Sequence, residues 1–169
     1  MLLPLSLLFV GAVLFLNGIW MFGRISDREI VIINLVTATI TAAVAALSLI
    51  RAEDIGDVRE VAMSLLFSVT YLWVACNRIT GADGRGLGWF SLFVAISVLP
   101  EAVRTLIAAE DLMDLWLGVS WALWSGLWFL YFLMLAVGRS LVRPTALATL
   151  MSGVFTAWLP ALVLLNRPT

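Results

Sequence analysis

Histidine is absent from the 169 residues, lysine is absent as well, and cysteine occurs once, at Cys76. Without imidazole there is no histidine metal ligand, no histidine base and no side chain that ordinarily titrates near neutral pH. One cysteine makes neither an intrachain disulfide nor a multi-thiolate metal site, and a lone thiol in so apolar a chain reads as a small buried hydrophobe. Charged residues are also scarce, at 12%, whereas 63% of the chain is hydrophobic. A water-soluble fold would have too little polar side chain to cover its surface, so the composition is that of a membrane protein in contact with lipid. The net charge of -1 leaves no basic surface for nucleic acid. Neither paired carboxylates at mid-segment nor a metal-ligand cluster is found, so no catalytic centre and no cofactor are expected.

What charge there is falls into five short groups, GRISDRE (23–29), RAEDIGDVRE (51–60), NRITGADGRG (77–86), RTLIAAEDLMD (104–114) and GRSLVRPT (138–145). They divide the chain into six apolar segments, about 2–22, 29–50, 61–78, 87–108, 114–137 and 145–166. Each is close to the ~20 residues a helix needs to cross the hydrocarbon. The expectation is an all-α integral membrane fold, one transmembrane domain over 1–169 with six helices and short loops. The opening MLLPLSLLFVGAVLF lacks a basic n-region and a small-residue cleavage site, so it reads as a retained first span. Loops one, three and five carry Arg24, Arg28, Arg78, Arg85, Arg139 and Arg143, against Arg51, Arg59 and Arg104 in loops two and four. The positive-inside rule then puts the odd loops in the cytoplasm and both termini outside. A faint repeat of 60 residues relates Asn17 to Asn77 and Pro100 to Pro160, as tandem helical hairpins would.

Segment five holds an unusual run, SWALWSGLWFLYF (120–132), whose indoles lie mid-membrane instead of in the interfacial belt. Trp121, Trp124, Trp128 and Tyr131 fall within about an 80° arc, with Leu117 on the same side. Such a face either packs as core or lines something narrow. Leu7, Val10, Leu14 and Asn17 form a comparable stripe in segment one, and Leu66, Val69, Trp73 and Asn77 form another in segment three. Each ends in a carboxamide, which in lipid must face the interior, for a helix-to-helix hydrogen bond or for a solute. In segment two, Ala38, Ala42 and Ala46 stand four apart, as close helix packing allows.

The stretches LLFVGAVLFLNGIWMFG, LLFSVTYLWVACN, WFSLFVAISVLP, the W-x-x-W-x-x-x-W of segment five and SGVFTAWLPA occur in this order over nearly the whole chain. In them the sequence resembles the AmiS/UreI family of urea and short-chain amide channels. The resemblance implies a hexamer in the bacterial inner membrane, each protomer three helical hairpins around its own pore, and a metabolic link to an amidase or a urease. Carried over by position, the pore lining is Leu7, Val10, Leu14 and Asn17, then Val69 and Trp73, then Trp121, Trp124, Leu127 and Trp128. Acid-activated members place a glutamate before the glycine of GVFTAWLPA, where this chain has Ser152, and carry a histidine-bearing outer segment that is missing here. Histidine-based gating is therefore impossible, and ungated passage is expected. Asn77 and Ser152 join the expected path as hydrogen-bonding stations. Glu101 and Arg104, one turn apart near the end of segment four, read as a local ion pair.

Overall fold

The computed structural model describes residues 2–166. Hydrocarbon offers the backbone no partners, so each apolar segment closes its own hydrogen-bond ladder. The resulting helices are α1 (Leu3–Met21), α2 (Asp27–Ile50), α3 (Ile55–Thr80), α4 (Arg85–Ile107), α5 (Leu112–Leu135) and α6 (Val142–Leu165), all long and apolar enough to span a membrane. There is no strand among the described residues.

The polar loop residues double as helix caps. Ser26 and Glu29 form a reciprocal capping box at the start of α2. The Asp111 carboxylate accepts the Asp114 N–H at 2.8 Å, and Gly81 (φ 71°) closes α3 in the left-handed region. Capping also explains the one large boundary difference, since α3 begins at Ile55 and not at residue 61. Asp54 accepts the N–H groups of Gly56 and Asp57 at 2.6 and 3.0 Å, which makes a charged first turn helical where an apolar window sees only loop.

Helices pack most closely as three pairs, α2 with α3, α4 with α5, and α1 with α6. Each odd-numbered helix thus lies on the even-numbered helix before it, with α6 and α1 closing the ring. This arrangement relates α1 to α3 and α4 to α6, the same relation as the 60-residue spacing of Asn17 with Asn77 and Pro100 with Pro160. On α2 the buried face is Asn34, Thr37, Ala38, Thr41 and Ala45. Ala46 points outward, so the expected alanine stripe is turned slightly from the real contact, which Thr41 reinforces by hydrogen bonding to Ser68 of α3 at 2.7 Å. Cys76 is exposed and not buried as expected, because it lies on the outward side of α3 between Ala75 and Asn77, which face in.

The α1–α6 contact is backbone against backbone. A Cβ on Gly11 would lie 2.8 Å from the Trp158 nitrogen, one on Gly18 2.6 Å from Leu150 Cβ, and one on Gly153 2.7 Å from the Phe15 nitrogen. Within this contact α6 changes register, running as a π-helix over Gly153–Trp158, with the Leu159 N–H donating to the Val154 carbonyl. In that register the donor due to face the Phe155 carbonyl belongs to residue 160, a proline with no N–H. The indole Nε1 of Trp116 fills the position at 2.7 Å.

Replacing Gly11 with valine should therefore separate α1 from α6. The expected loss is about 1–3 kcal/mol of stability, typical of overpacking, read as a lower melting temperature and aggregation in detergent by fluorescence-detected size exclusion. Gly126, whose added Cβ would meet nothing within 4 Å, should accept alanine without loss, since alanine is the better helix former by about 1 kcal/mol.

Candidate functional site

The aromatic arc of α5 faces the bundle axis and meets Phe67 of α3. The Phe67 ring centroid lies 5.7, 5.0 and 4.6 Å from Trp121, Trp124 and Trp128, and Trp121 stands edge-on to Trp124 at 5.1 Å. Leu7, Val10 and Leu14 of α1 are buried in the same cluster. These side chains fill the axis at mid-depth. Just beyond them is a narrow cavity of about 30 Å³ bounded by Leu14, Asn17, Phe67, Thr70, Tyr71, Val74, Leu87, Ser91, Trp124, Leu127, Trp128 and Tyr131, with no charged side chain in its wall.

Asn17, Val74, Leu87 and Tyr131 also border a wider cavity of about 480 Å³ at the end of the bundle carrying the α1–α2 loop. Its rim is tied together by charge. Trp20 Nε1 donates to Asp27 at 2.7 Å, Arg78 lies 3.6 Å from the other Asp27 oxygen, and its guanidinium sits 5.3 Å from the Trp20 ring centroid. At the opposite end a cavity of about 340 Å³ opens among α1, α2 and α3, walled by Ser6, Ser48, Ser64, Arg51, Asp57 and Glu60 with aliphatic neighbours.

The expected residues divide into those on this axis and those off it. Leu7, Val10, Leu14, Asn17, Trp124, Leu127 and Trp128 are buried there, and Trp121 packs at the edge of the cluster. Asn77 borders the wide cavity. Val69 does not, being 40% exposed on the outer surface of α3. Trp73 is also off the axis, tilted against Phe90 of α4 at 5.4 Å and lying over Gly86, where a Cβ would meet it at 3.0 Å. The face of α3 that looks inward is Phe67, Thr70, Tyr71 and Val74, turned by about one residue, or 100°, from the expected stripe. A helix apolar on every side carries little phase information, and an aligned tryptophan at a helix contact reads like one at a lumen. Ser152 is likewise not at the narrow cavity. It is buried beside the α1 contact, and its carbonyl accepts the Thr156 hydroxyl at 2.6 Å.

Thr156 in turn accepts the Trp124 indole N–H at 2.7 Å. A residue of the π-helical turn thereby fixes the ring that packs against Phe67 and Trp121 at the narrowest level. Tyr131 shares a hydrogen bond of 2.9 Å with Thr149. Asn17 is satisfied by a residue that the spacing gave no reason to single out. Its Nδ2 donates to Asn34 Oδ1 at 3.2 Å, and Asn34 Nδ2 donates back to Asn17 Oδ1 at 2.8 Å. Glu101 is buried and held by Arg104 through both of its oxygens, one of them 3.1 Å from Nε, which matches the expected local pair.

The Asn17–Asn34 bridge generates a stability prediction. Asn34→Leu should leave the Asn17 amide unpaired and cost about 1–3 kcal/mol. A double-mutant cycle with Asn17→Ala, read by chemical denaturation in detergent, should give a coupling of about 1 kcal/mol.

Other proteins share this architecture. A cryo-electron-microscopy structure of the Helicobacter pylori urea channel in a closed state superposes with a TM-score of 0.86 over 98% of this chain and 97% of that one, at 28% identity. In sequence, the chain is 37% identical to a Mycolicibacterium smegmatis protein named for transport of amidate substrates, over 95% of this chain and 75% of that protein. It is 32% identical to the acid-activated urea channel of Helicobacter pylori, with 96% of each chain covered. The model of the AmiS/UreI transporter family matches residues 2–167. With its helices, its axial aromatic cluster and its sequence all of one kind, the chain belongs to the AmiS/UreI family of transporters, which is not a family of enzymes.

Proposed function

We propose that this protein is a passive channel for urea and short-chain aliphatic amides. The observation that carries the reading is the uncharged slot at mid-depth, with Phe67, Trp124 and Trp128 on its walls and wider polar cavities toward both ends. Urea and small amides are flat, neutral and polar along their edges. They can slide between aromatic and aliphatic faces by dispersion and N–H to π contact, with Thr70, Ser91 and Tyr131 nearby for brief hydrogen bonds. An ion would lose far more hydration in such a slot, so it is excluded. Binding is weak on both sides of the barrier, and transport follows the gradient without ion or proton coupling.

The names of the relatives support this solute class. No histidine gates passage, since the chain has none, and Ser152 stands where acid-activated members carry glutamate, so ungated passage is the reading adopted. By resemblance, six protomers assemble in the bacterial inner membrane, each with its own lumen. Arginine counting places both termini outside and the α1–α2 loop in the cytoplasm. There the solute would meet an amidase or a urease.

Stopped-flow light scattering on proteoliposomes tests this directly. Wild-type vesicles in a urea or acetamide gradient should re-swell about tenfold or more faster than empty ones, with the same rate from pH 5 to 8. Leu14→Asp, which places a charge in the slot, should lower the rate by about tenfold or more. Trp124→Ala should alter it and also loosen selection against larger amides. Wild-type rates equal to those of empty vesicles would overturn the reading.

A further inference from the structure

Asn17 and Asn77 occupy corresponding places in α1 and α3, yet their carboxamides are treated differently. Asn17 is closed on Asn34 by two reciprocal hydrogen bonds, the planar ring that two primary amides form with each other. Asn77 is just as buried, at 5% exposure, and no side-chain hydrogen bond satisfies it among the described residues. The position on α4 that lies 60 residues beyond Asn34 is Val94, fully buried and without a donor or acceptor in its side chain. The second repeat thus keeps the amide and lacks its partner.

The amide is open to the space beside it and not sealed in, so whatever occupies that space completes its hydrogen bonds. Asn77 borders the cavity of about 480 Å³, with Asn17 and Arg78 also in its wall. The space beside the amide is kept open by Gly84, whose φ of 83° disfavours a side chain and whose added Cβ would lie 3.9 Å from Asn77 Nδ2. Along one edge a carboxamide sets an N–H donor beside a C=O acceptor in a plane, and the same edge of another amide is the matching complement.

We infer that Asn77 is a docking station for the amide group of the solute in the cavity at the α1–α2 loop end. Its Nδ2 donates to the solute carbonyl oxygen, and a solute N–H donates to its Oδ1, the same ring that Asn17 forms with Asn34. The inference rests on the channel reading and adds where the amide group is recognised. The indole slot accepts any thin neutral solute, whereas this station requires an N–H beside a C=O. A carboxylate has no donor to offer, and an N,N-dialkyl amide has none either, so each makes only one of the two bonds.

The test uses proteoliposomes of the full chain carrying wild type, Asn77→Ala or the near-isosteric Asn77→Asp, with urea, acetamide and N,N-dimethylformamide as solutes. Osmotic water flux in the same vesicles reports whether the lumen still forms. Wild type should favour acetamide over dimethylformamide, and Asn77→Ala should lose about 3–10-fold of that preference, the worth of one hydrogen bond, with water flux unchanged, whereas Asn77→Asp, whose oxygens still accept the solute N–H, should keep it. An Asn77→Ala variant that keeps the wild-type preference and water flux, or an Asn77→Asp variant that loses the preference, would overturn the station while leaving the channel intact. A wild type that passes neither urea nor acetamide would remove both. Independently of any variant, adding urea to wild-type protein labelled with 15N-asparagine should shift the Asn77 side-chain resonances and leave those of Asn34 in place. Absence of that shift at saturating urea would also overturn the inference.

Discussion

Indole N–H groups placed at the middle of a bilayer have to find acceptors within the protein, and much of this structure follows from how α5 meets that demand. Backbone carbonyls of regular helices already accept one N–H each, and the indoles of Trp116 and Trp124 are met where a helix departs from its ordinary register. The π-helical turn of α6 is that departure. Its Phe155 carbonyl takes the Trp116 N–H, and its Thr156 hydroxyl takes that of Trp124. Pro160 removes the donor that would otherwise compete for the carbonyl. The wide turn costs α6 part of its own ladder and supplies α5 with fixed anchor points.

Those anchors make the slot rigid. Trp124, held by its N–H, presents a defined ring, and Phe67 packs against it and against Trp121 and Trp128. The glycine contact of α1 with α6 has the complementary effect. With Gly11, Gly18 and Gly153 bringing the two backbones together, Leu7, Val10 and Leu14 are pressed toward the axis from the other side. Polar bridges hold the remaining helices at their angles, among them Asn17 with Asn34, Thr41 with Ser68, and the Ser125 hydroxyl donating to the Ala95 carbonyl at 2.8 Å. Several hydrogen bonds of modest individual worth thus fix a lumen whose own wall is mostly apolar.

Legibility in the sequence varied with how much a residue pattern depends on distant neighbours. The aromatic face of α5 was readable because four large residues on one arc define a direction by themselves. In α3 the direction was wrong by one residue, since Val69 and Trp73 are as acceptable to lipid or to a neighbouring helix as to a lumen. Phe67 and Tyr71, which do reach the axis, carry no mark that separates them from those two. Asn34 went unnoticed because a carboxamide in an alanine- and threonine-rich helix is informative only once its partner is known. The π-helical turn had a hint in Pro160, but a proline near a helix end is more often a simple stop or kink.

By itself the sequence determined that this chain crosses a membrane six times, where its loops fall, which family it resembles, and which chemistries it lacks. Those properties follow from composition, segment length and local order, and they hold whatever the helices do afterward. Tertiary structure alone decided which face of each helix looks inward, which amide is paired and which is left open, and that indoles at mid-membrane are anchored by a neighbouring helix. The physical reason is that rotation of an all-apolar helix changes its hydropathy very little, so the phase is set by close contacts between segments far apart in the chain.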